Sequence, residues 1–407
     1  MRVRARRLVI ASSVVALGAA AVPAYAAITG PAPHVAVVSA SVSADAVPGQ
    51  YIVTLKRAGA RSSKLSGFHR IHDYGDGFAA KLTPAQLRKV QTDPNVAAIE
   101  QDKIVKIQGT TPTPTPSATP TTAPPTTPPT TPTPPTKTTQ KNPNWGPDRI
   151  DQHKLPLSHS YTYTHTGKGV DAYVIDTGID TTLSQFGGRA DSVYGGKGDC
   201  EGHGTHVAGI IGSRTYGVAK EVKLHAVKVL GCNGQGKISD VIAGINWVTK
   251  HHASKSVANL SLGGDKSTAL NSAVTKLSKS GVFVAVAAGN DSADSCKSSP
   301  ASAASVEAVA ASTSTDKRAS FSNYGKCVDI YAPGNNIKST VPGGTEFESG
   351  TSMASPFVAG VAALYKSTYG QKSFGTVQSW IHAHATNNVI QKNKSNTHNR
   401  LLYKSTL

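Results

Sequence analysis

The stretch Val170-Asp171-Ala172-Tyr173-Val174-Ile175-Asp176 decides the fold: it reads as a strand that runs into a carboxylate. Working outward, Val222 to Leu230 reads as another strand. Val257-Ala258-Asn259-Leu260 and Val282-Phe283-Val284-Ala285-Val286 are near-continuous apolar runs, as strands covered on both faces require. Between them Ile238, Val241, Ile242, Ile245 and Val248 recur on one helical face. Strand and helix in alternation imply an α/β fold with a mainly parallel central sheet covered on both faces. In such a sheet, ligand chemistry sits beyond the carboxyl ends of the strands, and Asp176, Ser261 and Asn290 all fall there.

This pattern begins near Asn144, and what precedes it differs. Only 38% of the 407 residues are hydrophobic and 16% charged, so part of the chain has no core of its own. Arg2, Arg4, Arg6 and Arg7, the apolar stretch Leu8 to Val22 and the small-residue exit Ala24-Tyr25-Ala26 read as a secretory signal, residues 1–26, cleaved after Ala26. The apolar stretch is short for a membrane span, so the expected product is secreted and extracellular, with no membrane contact once the signal is removed.

Residues 27–47 read as an exposed segment. Residues 48–108 read as a small α+β unit. Gln50 to Leu55 and Phe78 to Leu82 are strand candidates, and Thr83-Pro84 opens a helix with Thr83 as N-cap. Val96 to Glu100 and Ile104 to Ile107 close the pattern. About 60 residues bury only a marginal core, so this unit is expected to need a partner surface. Residues 109–142 form a linker: Thr110 to Thr138 holds 11 Pro and 14 Thr in 29 residues, an extended spacer.

The net charge of +18 divides into +10 over residues 1–142 and +8 over 143–407, without a block of like charges in the latter. That excludes a nucleic-acid partner on the usual footprint.

Three segments carry chemistry. Val174-Ile175-Asp176-Thr177-Gly178 offers a carboxylate at a strand end. Gly202-His203-Gly204-Thr205-His206 offers an imidazole, and Gly350-Thr351-Ser352-Met353-Ala354 a hydroxyl, each opening a helix of small residues. A serine is a weak nucleophile unless a base lies within hydrogen-bond reach and a carboxylate fixes that base. Asp176-Thr177-Gly178 also spells the triplet of aspartic proteases, but that chemistry needs two such carboxylates, and no second triplet occurs.

The order Asp, His, Ser belongs to the subtilisin group, and the chain resembles the subtilisin-like serine peptidases of the proteinase K and aqualysin branch over nearly all of 144–407. Residues 48–108 resemble the inhibitory, chaperone-like propeptide of that family. The resemblance implies a subtilisin-like three-layer fold and a self-processing zymogen of a broad-specificity endopeptidase. In it Asp176 orients, His203 is general base and acid, Ser352 is the nucleophile and Asn290 the side-chain donor of the oxyanion hole. It gives His206 a structural role. It matches Ser261-Leu262-Gly263-Gly264 and Ala287-Ala288-Gly289 to the walls of the S1 pocket, and Gly234-Gln235-Gly236 to the opposite rim.

The resemblance also pairs Cys200 with Cys232 and Cys296 with Cys327, in keeping with an exported chain. It suggests structural calcium at Asp148, Asp151, Gln152, Ser158 and Ser160, and at Asp329 with the carbonyls of Ala304 and Val306. Catalysis would need no cofactor. The expected partners are protein and peptide substrates and the chain's own propeptide, acting on a monomer. Two self-cleavage sites stand open: Gln108-Gly109, which leaves the spacer on the enzyme, and a site near Lys141-Asn142, which removes it.

Overall fold

The computed structural model describes residues 35–39, 44–108 and 137–407. The expected signal, part of the 27–47 segment and linker residues 109–136 lie outside the described residues.

Residues 44–108 form an antiparallel sheet from Ala46–Leu55, Arg70–Asp73, Gly77–Lys81 and Val96–Ile107, with one helix, α1 (Pro84–Gln91). Thr83 caps α1 reciprocally with Gln86, whose side chain returns to the Thr83 N–H. The core is Val53, Phe78, Ala80, Val90, Val96 and Ile99. The 27–47 segment is not wholly exposed as expected. Ala36 packs into this core, and Val38–Ser39 pairs with Ile99 and Glu100, because the long Val96–Ile107 strand leaves its edge open at those two residues.

The larger unit is a nine-stranded sheet. From its centre outward on one side run Asp171–Asp176, Ser256–Leu260, Phe283–Ala287, Glu307–Ser312 and Ile330–Pro333, and on the other Lys223–Lys228 and Ala190–Tyr194, all parallel. Strand alternation then divides the core. Ala172 and Val174 pack with α3 (His203–Gly212) and α6 (Thr351–Tyr369). Tyr173 and Ile175 pack with α4 (Ile238–His251) and α5 (Thr268–Lys279). The five apolar positions read as one helical face, Ile238 to Val248, are all buried in that second layer. This is the subtilisin-like three-layer arrangement.

The two units meet as one sheet. Val96–Ile107 inserts between Gln235–Lys237 and Leu262–Asp265, antiparallel to both, with Val105 opposite Gly236 and Ile107 opposite Leu262. Its carboxylates meet the free N–H groups that open two helices. Glu100 accepts from the Ala269 N–H and the Ser267 hydroxyl, both at 2.8 Å, at the start of α5. Asp102 accepts from the Ser239 N–H at 3.1 Å at the start of α4. Ile52, Tyr74, Ala79 and Val105 join the apolar layer of α4 and α5.

The linker ends earlier than its expected boundary at 142. Thr138–Lys141 is a strand paired with Ser160–Tyr163, and the Gln140 side chain donates to Thr215 O at 3.0 Å. Cys200 is bonded to Cys232 and Cys296 to Cys327, closing separations of 32 and 31 residues. Loops of this length stabilise a fold by about 3–4 kcal/mol in the chain-entropy account. Replacing Cys296 and Cys327 together with Ser is therefore expected to cost about that much in denaturant unfolding. A loss below about 1 kcal/mol would show that the bridge does not act through loop closure.

Candidate active site

Three chain segments converge beyond the carboxyl ends of the central strands. Asp176 ends its strand fully buried, and its Oδ1 accepts from the Thr177 N–H at 2.7 Å. The same oxygen lies 2.8 Å from Nδ1 of His203, the first residue of α3. That helix can start there because Gly202 takes φ 109°, a conformation other residues rarely adopt, and because Gly204 approaches the preceding strand end closely: a Cβ on it would lie 2.2 Å from Gly178 O. The hydroxyl of Thr177 holds the Gly204 N–H at 2.9 Å, fixing the helix to the strand that carries Asp176.

Burial disfavours the His203 cation, but the Asp176 carboxylate, with help from Glu348 and Glu201, outweighs it and raises the imidazole to about 9. His203 Nε2 is buried with no partner among the described residues, so the ring is held from the Asp176 side. His206, one helical turn on, is held by structure: its Nε2 lies 3.1 Å from Ile337 O and 3.2 Å from Glu346 O, and burial lowers it to about 3.

Ser352 is the second residue of α6. Pro356 has no N–H to give the carbonyl four residues back, and that carbonyl, Ser352 O, accepts instead from the Ser261 hydroxyl at 2.8 Å. Ser352 Oγ donates to Ser261 O at 2.9 Å. Asn259 joins this bond set, donating to Ser261 Oγ at 2.8 Å and accepting from Ser355 Oγ at 2.6 Å. Asn290 Oδ1 accepts from the Thr351 N–H and hydroxyl, both at 2.9 Å, which turns its NH2 outward. Asn259, Thr351 and Ser355 were not singled out from the sequence; nothing in a buried strand end or a Gly-Thr-Ser run distinguishes a positioning hydrogen bond from an ordinary one.

Into this site comes the end of the small unit. Ile107 donates to Gly234 O at 3.0 Å and Gln108 to Ser261 O at 3.1 Å. Gln108 O accepts from the Ser352 N–H at 3.2 Å and from Asn290 Nδ2 in a short contact. The Gln108 side chain donates to Gly263 O at 3.3 Å. A peptide carbonyl thus rests between two donors at a helix N-terminus, where developing negative charge would be stabilised. Gly234-Gln235-Gly236 and Ser261 to Gly264 border this strand through their backbones. Gly264 stands opposite Ser299, and a Cβ on it would meet Ile104 O at 3.3 Å. Ala287, Ala288 and Gly289 are buried and lead directly into Asn290; Ala288 packs with Ala310, Val328 and Tyr331.

The oxygen clusters differ. Asp148 accepts from the Ser158 hydroxyl at 2.9 Å and the His159 N–H at 2.7 Å. Gln152 Oε1 accepts from the Ser158 N–H, and Ser158 Oγ lies 2.8 Å from Ser160 Oγ. Asp151, however, already faces the Lys404 ammonium at 3.0 Å, so a cation balances that cluster. Asp329 makes no ion pair of that kind among the described residues, although His382 and Arg400 act on it from farther away. It lines a cavity of about 590 Å³ with Ser305, Val306, Lys279 and Lys326, its oxygen accepts from the Ala308 N–H at 2.8 Å, and burial and the neighbouring Glu307 push its carboxyl up. A divalent cation there would offset the buried charge, whereas the first cluster, richer in oxygens, already contains an ammonium. Ala304 O accepts from the Thr275 hydroxyl at 2.8 Å.

The chain is similar to known proteins over most of its length. Residues 167–401 match the Subtilase family and residues 50–108 match Peptidase inhibitor I9. The chain is 46% identical over 336 residues to the extracellular serine proteinase of a Thermus species, covering 80% of this chain and 75% of that protein. It is 40% identical over 338 residues to the cuticle-degrading protease of Metarhizium anisopliae, covering 80% of each. To alkaline serine exoprotease A of Vibrio alginolyticus it is 45% identical over 337 residues, 81% of this chain, and it spans 59% of that protein's length. A crystal structure of a cold adapted subtilisin-like serine proteinase aligns at TM-score 0.65 and 47% identity, over 66% of this chain and all of that one. With a buried Asp–His pair, a serine at a helix N-terminus and an inhibitor unit laid in the cleft, the chain belongs to the subtilase family as a serine endopeptidase preceded by its own inhibitor domain.

Proposed function

We propose that the chain is a secreted zymogen that cuts itself between Gln108 and Gly109 and then hydrolyses peptide bonds of broad sequence through Asp176, His203 and Ser352. The observation that carries this is the Gln108 carbonyl, which accepts from the Ser352 N–H and the Asn290 amide at once. In the reaction the Ser352 hydroxyl turns from Ser261 O towards His203 Nε2, gives it the proton and bonds to the Gln108 carbonyl carbon. The two donors hold the resulting oxyanion. The intermediate collapses as His203 passes the proton to the departing amine of Gly109, and water then hydrolyses the ester by the same steps in reverse. Asp176 keeps the proton of neutral His203 on Nδ1 and stabilises the cation that forms.

Recognition by backbone pairing on two sides tolerates many side chains, which supports breadth. The spacer is a poor substrate, since its prolines lack the N–H that pairing needs. The rival site near Lys141-Asn142 is disfavoured because Thr138–Lys141 is already paired with Ser160–Tyr163. The spacer would then stay on the mature, monomeric enzyme. Structural calcium fits best at Asp329 with the Ala304 and Val306 carbonyls.

Three outcomes test this reading. Ser352→Ala should leave the precursor uncut and peptide substrates intact, and Asn290→Ala should lower turnover by roughly 10²–10³-fold, the range known for this donor in a subtilisin. Sequencing of the mature N-terminus should begin at Gly109; a start between Lys141 and Asn144 would refute the chosen bond.

Self-cleavage should also depend on pH in a stated direction. His203 must be neutral to accept the serine proton, and in the complex it is held at about 9. Single-turnover maturation should therefore rise with pH through the range around 9; a plateau already reached at pH 7 would contradict the buried Asp176–His203 pair as its origin.

Chelation should lower the melting temperature of the wild type by removing a ligand of the folded state. In Asp329→Asn it should have no further effect. If Asp148→Asn rather than Asp329→Asn removes the chelator response, calcium sits at the first cluster.

A further inference from the structure

Beside His203 lies a cavity of about 240 Å³. It is bounded by the loop that leads into α3 and by the hairpin of Ile337–Val341 and Gly344–Glu348. Among the described residues its lining contains four carboxylates, Asp199, Glu201, Glu346 and Glu348, and no lysine or arginine. They are not equivalent. Asp199 is used by the chain itself: one oxygen accepts from the Glu201 and Gly202 N–H groups, the other from the Thr205 N–H and hydroxyl. Glu201 holds the His203 N–H at 2.8 Å. Both belong to the start of α3.

Glu346 is exposed at the rim. Glu348 is only 6% exposed, and its carboxylate accepts no hydrogen bond from a described residue. A buried carboxylate without a partner is costly. Burial pushes this one up to about 7; His203 relieves it in part, while Glu201 and Glu346 push it further. At alkaline pH it is an anion with no dedicated counter-charge.

The direction of a bound peptide says what could meet it. The Gln108 side chain turns to Gly263 O, whereas Ile107 lines this cavity. In an extended peptide alternate residues share a side. The residue that follows the scissile bond therefore falls on the side of Ile107, next to the cavity. In the chain's own sequence that residue is Gly109, which has no side chain to offer. Self-cleavage does not need the cavity, because an attached propeptide is delivered intramolecularly; foreign substrates have no such advantage.

We propose that the cavity receives the side chain of a lysine or arginine placed immediately after the scissile bond of a foreign protein substrate, with Glu348 as its buried counter-charge and Glu346 at the entrance. The inference rests on Gln108-Gly109 as the scissile register.

The test uses the mature enzyme at pH 9 and peptides that share the acyl side Val-Lys-Ile-Gln and carry Ala, Lys, Arg or Glu in the next position. A hydrogen bond to a charged group supports an expected preference of about tenfold in kcat/KM for Lys or Arg over Ala, with Glu below Ala. In Glu348→Gln the Lys-to-Ala ratio should fall to about one or two. Each ratio compares two substrates on one protein, so any change in His203 cancels. Glu346→Lys, on the exposed rim, provides a variant that does not disturb the core and should reverse the order of Lys and Glu.

A ratio near one in the wild type, or a preference unchanged in Glu348→Gln and Glu346→Lys, overturns the inference. Cleavage of the Ala peptide with no Lys preference removes the inference and leaves the endopeptidase reading standing. Failure to cut any of the four peptides removes both.

Discussion

The insertion of one strand between two others organises this molecule. Val96–Ile107 completes a sheet that neither unit has alone, since Gln235–Lys237 is three residues long and Leu262–Asp265 four. Backbone pairing fixes the register to a single residue, and the register puts Gln108 O on the Ser352 and Asn290 donors. The peptide is thus set in register largely by backbone hydrogen bonds that carry no sequence information. The side chains of the inserted strand do other work: Glu100 and Asp102 satisfy the open ends of α5 and α4. Two helix ends whose N–H groups lack intrahelical partners are thus served by a neighbouring unit, while that unit gains the partner surface its own small core requires.

A second constraint is local to α6. A helix with proline in its second turn leaves one carbonyl without its usual donor, and Ser261 fills the gap. Because Ser261 O also receives the Gln108 N–H and the Ser352 hydroxyl, one residue joins the substrate wall, the peptide and the helix that carries Ser352. The Asn259–Ser355 pair supports it from behind. Displacing the wall would displace Ser352 with it.

Much of this was legible in the sequence, for identifiable reasons. Val170 to Asp176 and the apolar runs at 257 and 282 are covered on both faces, so burial is written into consecutive residues, and those strands were expected where they lie. Thr83-Pro84 marks a helix start through local chemistry alone. The strand Thr138–Lys141 was not expected, because Thr-Thr-Gln-Lys has no apolar alternation and is placed by its partner Ser160–Tyr163. The burial of Ala36 depends likewise on an edge formed some 60 residues later in the chain. Lys404 beside Asp151 joins residues from opposite ends of the larger unit, which no local pattern reports. Glu348 stands four residues before Ser352 and draws no attention as a flanking residue until the hairpin folds it inward.

The gap vacated by Val96–Ile107 has one further consequence. Strands in a sheet lie about 4.8 Å apart, so two flanking strands that share one guest stand roughly 9–10 Å from each other, too close for a helix of about 10–12 Å diameter. A chain segment can enter only with its N–H and C=O groups free on both edges. A strand inside a sheet and a residue inside a helix have neither. The cleft therefore discriminates by conformational state: loops, termini and transiently unfolded stretches are eligible, whatever their sequence. For a compact protein target, the rate of degradation would then be governed by how often the target opens locally. The thermodynamic stability of the prey would become the principal determinant of its lifetime.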